Sequence, residues 1–261
     1  AWVYGFLGLE VASFDPAPFS SDIASRPVDP DQTATALSGP GIPLTTTTLA
    51  ADVFAGRALY YSAISPQFTL PATGVSCATC HFDGRADGLN WAIRGNGDRQ
   101  TLSHAGPVST TLPMTWTANI PGVADECRIT SQIRLGGVGV TDEELAQVAA
   151  FIEFVPDVDT PDVDEAAAAR GRALFERRDV GCTLCHNGPR LTDNQLHDIY
   201  GTAQVNTPGL INVAITAPYL HDGRAPTLRA VLETGFDRQM GNTSMLSEAE
   251  LADLETYLRS L

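Results

Sequence analysis

Two stretches decide the fold class of this chain: Cys77-Ala78-Thr79-Cys80-His81 and Cys182-Thr183-Leu184-Cys185-His186. Both are Cys-x-x-Cys-His motifs, and each follows a similar five-residue stretch. These stretches are Gly56-Arg57-Ala58-Leu59-Tyr60 and Gly171-Arg172-Ala173-Leu174-Phe175. Two rare motifs in matching positions of a repeat are not accidental. The chain is therefore an internal duplication with one motif in each copy.

Each copy also ends on the same amphipathic pattern. Residues 140–152 align without a gap on residues 246–258. Thr141 and Ser247 are natural N-cap residues, and a glutamate stands three residues after each, as a capping box requires. Apolar residues then recur at helical spacing. We predict a module of about 100 residues that runs from an opening helix, through the motif and a long irregular middle, to a closing helix.

The spacing within the motif suits covalent attachment of haem. Two thiols three residues apart reach the two vinyl groups of one haem, and the next histidine then lies beneath the iron as its proximal ligand. We predict that two c-type haems are held by Cys77, Cys80 and His81 and by Cys182, Cys185 and His186. Attachment of this kind is made outside the cytoplasm. A periplasmic, cell-surface or extracellular location is therefore expected.

Other sites use the same residue types. A redox Cys-x-x-Cys is expected after a strand in an α/β pattern, which this sequence lacks. A structural zinc site of four cysteines is chemically feasible, but it leaves both histidines without a role. Cys127 is the fifth cysteine and is expected as a buried thiol, with an intermolecular disulfide or a place near a haem edge as alternatives.

The repeat divides the chain into three parts. Residues 2–15 hold two short β-type runs around a Gly-containing turn, which predicts a hairpin, and an arm rich in Pro, Ser and Thr follows. We assign residues 1–50 to this hairpin and arm, 51–156 to a first cytochrome c-like haem domain and 162–261 to a second. The predicted fold class is thus mainly α, with a short N-terminal β segment and an extended arm.

The composition excludes several classes of function. The 261 residues carry 31 Asp and Glu against 16 Arg and no Lys, a formal net charge of −15. Nucleic-acid binders draw most of their affinity from cationic contacts to phosphate, so a nucleic-acid partner is not expected. A partner steered by charge should be basic. There is no run of about 18 apolar residues, so no transmembrane helix is expected.

The second half of the chain shows a family resemblance. Residues 205–224, which end on His221-Asp222-Gly223-Arg224, resemble the C-terminal haem domain of the bacterial di-haem cytochrome c peroxidases and their MauG-type relatives. The resemblance covers residues 50–261. Residues 77–91 are similar to a branch of that superfamily whose haem domains often follow a β-propeller. On that resemblance, the hairpin near Ala1 would be the end of an upstream propeller.

The resemblance implies an oxidoreductase in which two haems divide the work. One haem accepts electrons, and the other meets hydrogen peroxide at an open coordination position. A peroxidase would draw electrons from a basic donor protein, either a cytochrome c or a cupredoxin. A MauG-type enzyme would instead oxidise side chains of a partner protein. The third alternative is a non-enzymatic di-haem electron carrier, in which both irons are six-coordinate.

The sixth ligands of the two irons depart from the pattern of the family. Where the peroxidases carry a ligand Met after His-Asp-Gly, this chain has Gly235. Met240 is the predicted ligand of the second haem, and Met245 or no protein ligand are the alternatives. The first motif lacks the distal His that the peroxidases carry beyond the proximal one. We expect an open iron there, with His104 nearby as a ligand, a distal base or a surface residue.

The resemblance also implies roles for two residues of the first module. Trp116 falls where the family has its inter-haem Trp, a π-system suited to relay electrons. Glu126 falls at a distal-pocket position of the family. It is the first candidate for the base that takes a proton from peroxide and returns it to the departing oxygen, with Gln132 second.

Further candidates surround the expected haem edges. Guanidinium groups pair carboxylates in a bidentate manner, which suits haem propionates. The candidates for this pairing are Arg85, Arg99 and Arg224. Thr216 and Pro218 match positions whose backbone carbonyls hold an inter-haem Ca²⁺ in the family. The matching Asn side chain is Gln100 here, which is longer. His221 matches a family His that is not an iron ligand.

Overall fold

The structure is a computed structural model of the 261-residue chain. It describes residues 2–5, 10–13, 42–43, 47–70, 73–93, 97–199, 204–233 and 240–261. Within these ranges the chain is rich in helix and has few strands, which confirms the mainly α class. Most of the predicted arm, and Gly235, lie outside the described residues. Across the described ranges, no helix has the length and hydrophobicity needed to cross a membrane.

The helices and strands follow one another with long irregular connections. The described α-helices are Ala51–Tyr61, Cys77–Cys80, Val123–Ile129, Asp142–Phe154, Glu165–Phe175, Leu228–Glu233 and Glu248–Arg259. A π-helical turn, Thr130–Arg134, continues the third of these. Short 3-10 turns cover Phe82–Gly84, Val108–Thr111, Cys182–Leu184 and Val213–Ile215. The strands are Trp2–Gly5, Glu10–Ser13, Ile42–Pro43, Asn90–Ile93, Gly97–Gln100, Leu196–His197 and Val205–Asn206.

The predicted N-terminal hairpin is present. Trp2–Gly5 pairs antiparallel with Glu10–Ser13, with Trp2 opposite Ser13. Ile42–Pro43 then pairs with Glu10–Ser13 to make a three-stranded sheet. The sequence did not indicate this third strand, because two residues within a Pro-rich arm carry no strand pattern.

The chain divides into two compact units. The first comprises Ala1–Thr79 and Cys127–Phe151, and the second comprises Cys80–Glu126 and Ile152–Leu261. Residues 80–126, which the sequence assigned to the first haem domain, thus group with the second. The boundaries of the haem domains at 51–156 and 162–261 stay a prediction.

A glycine lets the opening helix of each module touch its closing helix. A Cβ atom at Gly56 would lie 1.8 Å from the carbonyl oxygen of Gln147, and one at Gly171 would lie 2.0 Å from that of Asp253. Both distances are far inside van der Waals contact, so only a residue without a side chain allows this approach. Gln147 and Asp253 occupy the same position in the aligned closing helices. The repeat in the sequence is therefore a repeat of one helix crossing.

Aromatic rings extend both crossings by one turn. The ring of Tyr60 lies 5.0 Å from that of Phe151, and the ring of Phe175 lies 5.3 Å from that of Tyr257. Such tilted ring pairs contribute about 0.5–1.5 kcal/mol beyond the area that they bury. The core of the second unit continues from this contact. It consists of Leu174, Phe175, Val180, Val213, Tyr219, Ala225, Leu228, Leu232, Leu246, Leu251, Leu254 and Leu258.

Both predicted capping boxes are formed. The Ser247 hydroxyl accepts from the Glu250 N–H at 3.3 Å, and the Glu250 carboxylate accepts from the Ser247 N–H at 2.8 Å. Thr141 and Glu144 make the same reciprocal pair at 3.2 and 2.8 Å. Each box satisfies two backbone donors that a helix start leaves without partners. The closing helices therefore begin where the sequence predicts.

We predict that Gly171→Ala destabilises the protein by at least about 2 kcal/mol, because the added methyl group forces two helix backbones apart. At an open helix position the same change would stabilise by about 1 kcal/mol, so the sign of the effect is diagnostic. The free energy of unfolding of the holoprotein, from denaturant titration, measures it. Ala169→Gly, an exposed position of the same helix, is the control and should cost only about 1 kcal/mol. A Gly171→Ala protein as stable as the parent would refute the crossing.

Candidate haem-binding site

The second motif sits on a tight turn after the opening helix. Gly181 has a φ of +83°, a conformation that favours glycine, and it leads into the 3-10 turn Cys182–Leu184. The backbone N–H of His186 donates to the carbonyl of Cys182 at 3.0 Å. In such a turn, residues three apart face the same side. The turn therefore places the two cysteine side chains on the same side, directly before His186.

The imidazole of His186 is oriented by the backbone. Its Nδ1 atom lies 3.1 Å from the carbonyl oxygen of Leu191. A carbonyl only accepts, so Nδ1 carries the hydrogen and Nε2 keeps its lone pair. Burial lowers the pKa of His186, which keeps the ring neutral at pH 7. A neutral imidazole held at Nδ1 by a backbone carbonyl fits the proximal ligand of a haem iron.

The thiols of the motifs are held uncharged. Burial raises the pKa of Cys182 to about 11, and burial also raises the pKa values of Cys185 and Cys80. None of the five cysteines, all of which lie in the described ranges, is in a disulfide. A neutral thioether suits these surroundings better than a zinc-bound thiolate does.

Two residues near Cys185 were not expected at the site. The Nε2 atom of His197 lies 2.8 Å from the carboxylate of Asp193, and these groups lie within 4.8 Å of the Cys185 sulfur. The carboxylate of Asp193 also acts on His186 by opposing the decrease of its pKa. Asp193 follows Leu191 by two residues, so one short loop supplies both the carbonyl and the carboxylate.

The loop that carries Met240 lies against the second motif. A Cβ atom at Gly241 would be 2.6 Å from the carbonyl of Val180 and 3.6 Å from the sulfur of Cys182. The N–H of Asn242 donates to the same Val180 carbonyl at 2.7 Å. Met245 is half exposed, and its sulfur lies 3.7 Å from the Arg177 guanidinium. Of the two methionines, Met240 is therefore the one whose loop contacts the motif.

The first motif begins with the helical turn Cys77–Cys80, and His81 ends it. Gly84 follows at a φ of +72°, where a Cβ atom would meet the side chain of Val155 at 2.7 Å. Its carbonyl accepts from the backbone N–H of His104 at 2.9 Å. This contact brings His104 next to the motif although 23 residues separate it from His81.

The rings of His81 and His104 stack. Their centroids are 3.7 Å apart and their planes are inclined by 15°. Burial, with a smaller effect of His81, holds the pKa of His104 well below its usual value, so the ring is neutral. The structure therefore places His104 in direct contact with the ring of His81. Its predicted roles as a distal base or ligand stay predictions.

Trp116 is buried in a network of three residues of the second unit. Its Nε1–H donates to the backbone carbonyl of Gln100 at 2.9 Å. Its ring meets the buried ring of His221 edge on, with centroids 6.4 Å apart. The backbone N–H of Gln100 donates to the carbonyl of His221 at 2.8 Å, which closes the network. The tryptophan is thus held by an indole hydrogen bond that a phenylalanine would not make.

The residues matched to a calcium site make a direct hydrogen bond instead. The Nε2 atom of Gln100 lies 2.6 Å from the carbonyl oxygen of Thr216. Pro218 follows on the same loop. An amide donor on this carbonyl does not fit a calcium ion, which requires oxygen ligands only.

The three predicted propionate partners differ in what they contact. Arg224 pairs with Asp222 through Nε at 2.9 and 2.7 Å. Arg99 has a buried Nε atom with no acceptor among the described residues, while its Nη1 donates to the carbonyl of Asp98 at 2.8 Å. Arg85 is exposed, four residues after His81. A buried donor that lacks an acceptor makes Arg99 fit a propionate oxygen best of the three.

Glu126 lies in the short helix Val123–Ile129, half-buried, with its Oε2 atom shielded from solvent. Gln132 lies exposed in the π-helical turn that follows. Cys127 is half-buried in the same helix as Glu126. Of the two candidate bases, only Glu126 is partly withdrawn from water.

The segment between the modules is clamped by residues that carry no motif. Asp157 forms a bidentate pair with Arg190, with both distances 2.8 Å, and accepts from the Asn212 amide at 2.7 Å. Arg190, chiefly through its hydrogen bonds, holds the pKa of Asp157 below its usual value. No pattern in the sequence indicates this clamp, because its members come from three separate loops.

Comparison with known proteins points to one superfamily. No protein-family model matches the chain. It is 29% identical to the methylamine utilization protein MauG of Methylorubrum extorquens, over 75% of this chain and 64% of that protein. It is 25% identical to the cytochrome c peroxidase Ccp of Escherichia coli, over 100% of this chain and 66% of that protein. The chain thus spans slightly less than two thirds of either relative.

Two solved structures share the fold. A chain of the hydrazine synthase of Kuenenia stuttgartiensis matches with a TM-score of 0.65 and 20% identity, over 85% of this chain and 100% of that chain. The diheme peroxidase BthA of Burkholderia thailandensis matches with a TM-score of 0.57 and 16% identity, over 83% of this chain and 87% of that chain. At this identity the likeness is one of fold. Together with the named relatives, it confirms the resemblance of this chain to the di-haem cytochrome c peroxidases and MauG-type proteins.

Proposed function

We propose that this protein is a di-haem c-type oxidoreductase that reacts with hydrogen peroxide. One haem would be attached at Cys77, Cys80 and His81 and the other at Cys182, Cys185 and His186. The observation that carries the proposal is the buried Trp116, bonded to Gln100 and packed on His221, at the position where the family has its inter-haem tryptophan. When bound, the haems supply one-electron redox chemistry and, at an open iron, a site for peroxide.

The chain's own part begins with the proximal histidines. At the second motif the carbonyl of Leu191 fixes the ring of His186, which would hold the iron through Nε2. At the first motif we assign His104 as a positioning residue, because its ring stacks on that of His81. A stacked neutral ring limits rotation of His81 without adding a charge.

Peroxide also needs a base on the chain. A base takes the proton from the oxygen that binds and returns it to the oxygen that leaves, so that water departs instead of hydroxide. Glu126 is our candidate, since its carboxylate is partly withdrawn from water, with the Oε2 atom shielded from solvent.

Glu126→Gln should lower the rate of the reaction with peroxide by about 100-fold, because the amide cannot accept the proton. The second-order rate of absorbance change in stopped flow measures this. Gln132→Ala serves as the control for the second candidate. An unchanged rate in Glu126→Gln would exclude Glu126 as the base.

Trp116→Phe should slow electron transfer between the haems, because the phenyl ring is harder to oxidise and lacks the indole hydrogen bond to Gln100. The measurement is the rate at which the second haem is oxidised after peroxide reaches the first. Trp91→Phe is the matched control: Trp91 is 41% exposed, and its indole donates to Asp87 at 2.9 Å. Equal rates in the two variants would contradict a relay through Trp116.

The electron paramagnetic resonance spectrum of the oxidised holoprotein tests the predicted sixth ligand of each haem iron. We expect one low-spin ferric signal from a haem with Met240 as its sixth ligand and one high-spin signal from an open haem. Met240→Ala should alter only the low-spin signal, and Met245→Ala, at the exposed methionine, should alter neither. Two low-spin signals in the parent would contradict the open peroxide site and would favour the electron carrier.

A MauG-type oxidation of a partner protein is the second candidate. The 29% identity to a methylamine utilization protein MauG favours it, and so does Gly235 at the family's Met position. In that case the protein would show poor turnover with small donors and would require one protein substrate.

In either case we propose an exported protein, periplasmic or at the cell surface. The net charge of −15 suits a basic partner, and a donor cytochrome c or cupredoxin with a basic face would associate more weakly as salt rises.

A further inference from the structure

We infer that the side-chain amide of Gln100 takes the place of the inter-haem calcium ion. The Thr216 loop would then be held by a hydrogen bond, and the site would need no cation. The inference does not rest on the proposed reaction with peroxide, because it concerns how the loop is held.

The contact itself is short and shielded. Gln100 is 6% exposed, and its Nε2 lies 2.6 Å from the Thr216 carbonyl oxygen. A buried carbonyl needs a donor or a cation as its partner, and the amide hydrogen meets this need. Asparagine, the residue of the family at this position, is one methylene shorter. The longer side chain of this protein therefore covers the distance that an ion would otherwise bridge.

The backbone of Gln100 fixes the same region. Its N–H donates to the His221 carbonyl at 2.8 Å, and its carbonyl accepts from the Trp116 indole at 2.9 Å. Gln100 is thus bonded to two points of the loop between Thr216 and His221 and to the tryptophan. A bound ion could add little to an arrangement that already has three direct bonds.

The nearby charges disfavour a divalent cation. Burial lowers the pKa of His221; the Asp222 carboxylate opposes this effect, and the charges of Arg99 and Arg224 add to it. Asp222 is engaged by Arg224. The surroundings of His221 thus hold two positive guanidinium groups and one carboxylate, and that carboxylate is already paired with Arg224. Such surroundings repel Ca²⁺, which prefers anionic oxygen ligands.

The opposite orientation of the amide makes the inference testable. If Oε1 faced Thr216, two acceptors would lie 2.6 Å apart, and a cation would be needed between them. Gln100→Glu imposes that arrangement on the protein, because a carboxylate offers acceptors only.

The experiment compares thermal unfolding of the holoprotein in EGTA and in about 1 mM CaCl₂, a concentration that fills extracellular calcium sites. The parent should unfold at the same temperature in both, and isothermal titration with CaCl₂ should show no site. Gln100→Glu should unfold about 5 °C lower in EGTA and regain stability with calcium. Gln195→Glu, which adds a charge at an exposed glutamine, should not respond to calcium.

Each result decides the question. A parent that binds calcium, or that loses stability in EGTA, overturns the inference. A Gln100→Glu protein as stable as the parent in EGTA also overturns it, because the amide would then not be needed at Thr216. If Gln100→Glu does not accumulate as holoprotein, Gln100→Asn is measured in its place, with the same expected response to calcium. Failure of the peroxide reaction would leave these readouts unaffected.

Discussion

The contact between two helix backbones at a glycine is the constraint on which both modules depend. Gly56 lies on Gln147 and Gly171 on Asp253, at the same position of the repeat. With the backbones this close, the rings one turn further on meet, as Tyr60 meets Phe151. The opening and closing helices thus form a rigid pair from few residues. The residues between the opening and closing helices therefore do not need to form regular secondary structure.

That freedom explains why the candidate site is built largely from backbone carbonyls. Loops leave carbonyl groups outside helices and sheets, and buried ones need partners. Three of them hold functional side chains: the Leu191 carbonyl holds His186, that of Gln100 holds Trp116, and that of Thr216 holds the Gln100 amide. Carbonyls are neutral and fixed, so they orient rings without adding charge beside a redox centre. A loop scaffold of this kind is precise because the helix pairs are rigid.

The sequence predicts the parts of this protein whose signal is local or repeated. The cap of each closing helix recurs in two copies, and the structure has both caps where they were expected. The glycine of each opening helix also recurs, although the sequence alone did not reveal the helix contact that it allows. The stack of His81 and His104 and the bond of Gln100 to Thr216 could not be read in this way. The two histidines are 23 positions apart in sequence, and Gln100 and Thr216 are 116 positions apart. Loops connect these residues, and a loop sequence has no periodic pattern from which its path could be predicted. The sequence shows how far His104 lies from His81 along the chain, but it does not show the direction from which the loop returns.

Because the chain has no lysine, the positive charges near the site come from arginine, whose hydrogen bonds require acceptors in fixed positions. Every side-chain cation except a protonated histidine must be an arginine, whose planar group satisfies its donors only when acceptors lie in its plane. Arg224 has such acceptors in Asp222, whereas the buried Nε of Arg99 has none within the part of the chain that the structure describes. A propionate oxygen would supply the missing acceptor and the negative charge that Arg99 needs. A calcium ion close to the same residues would instead compete for that negative charge. The arginine that favours a haem propionate is therefore one reason why a glutamine amide, which is neutral, suits the carbonyl of Thr216.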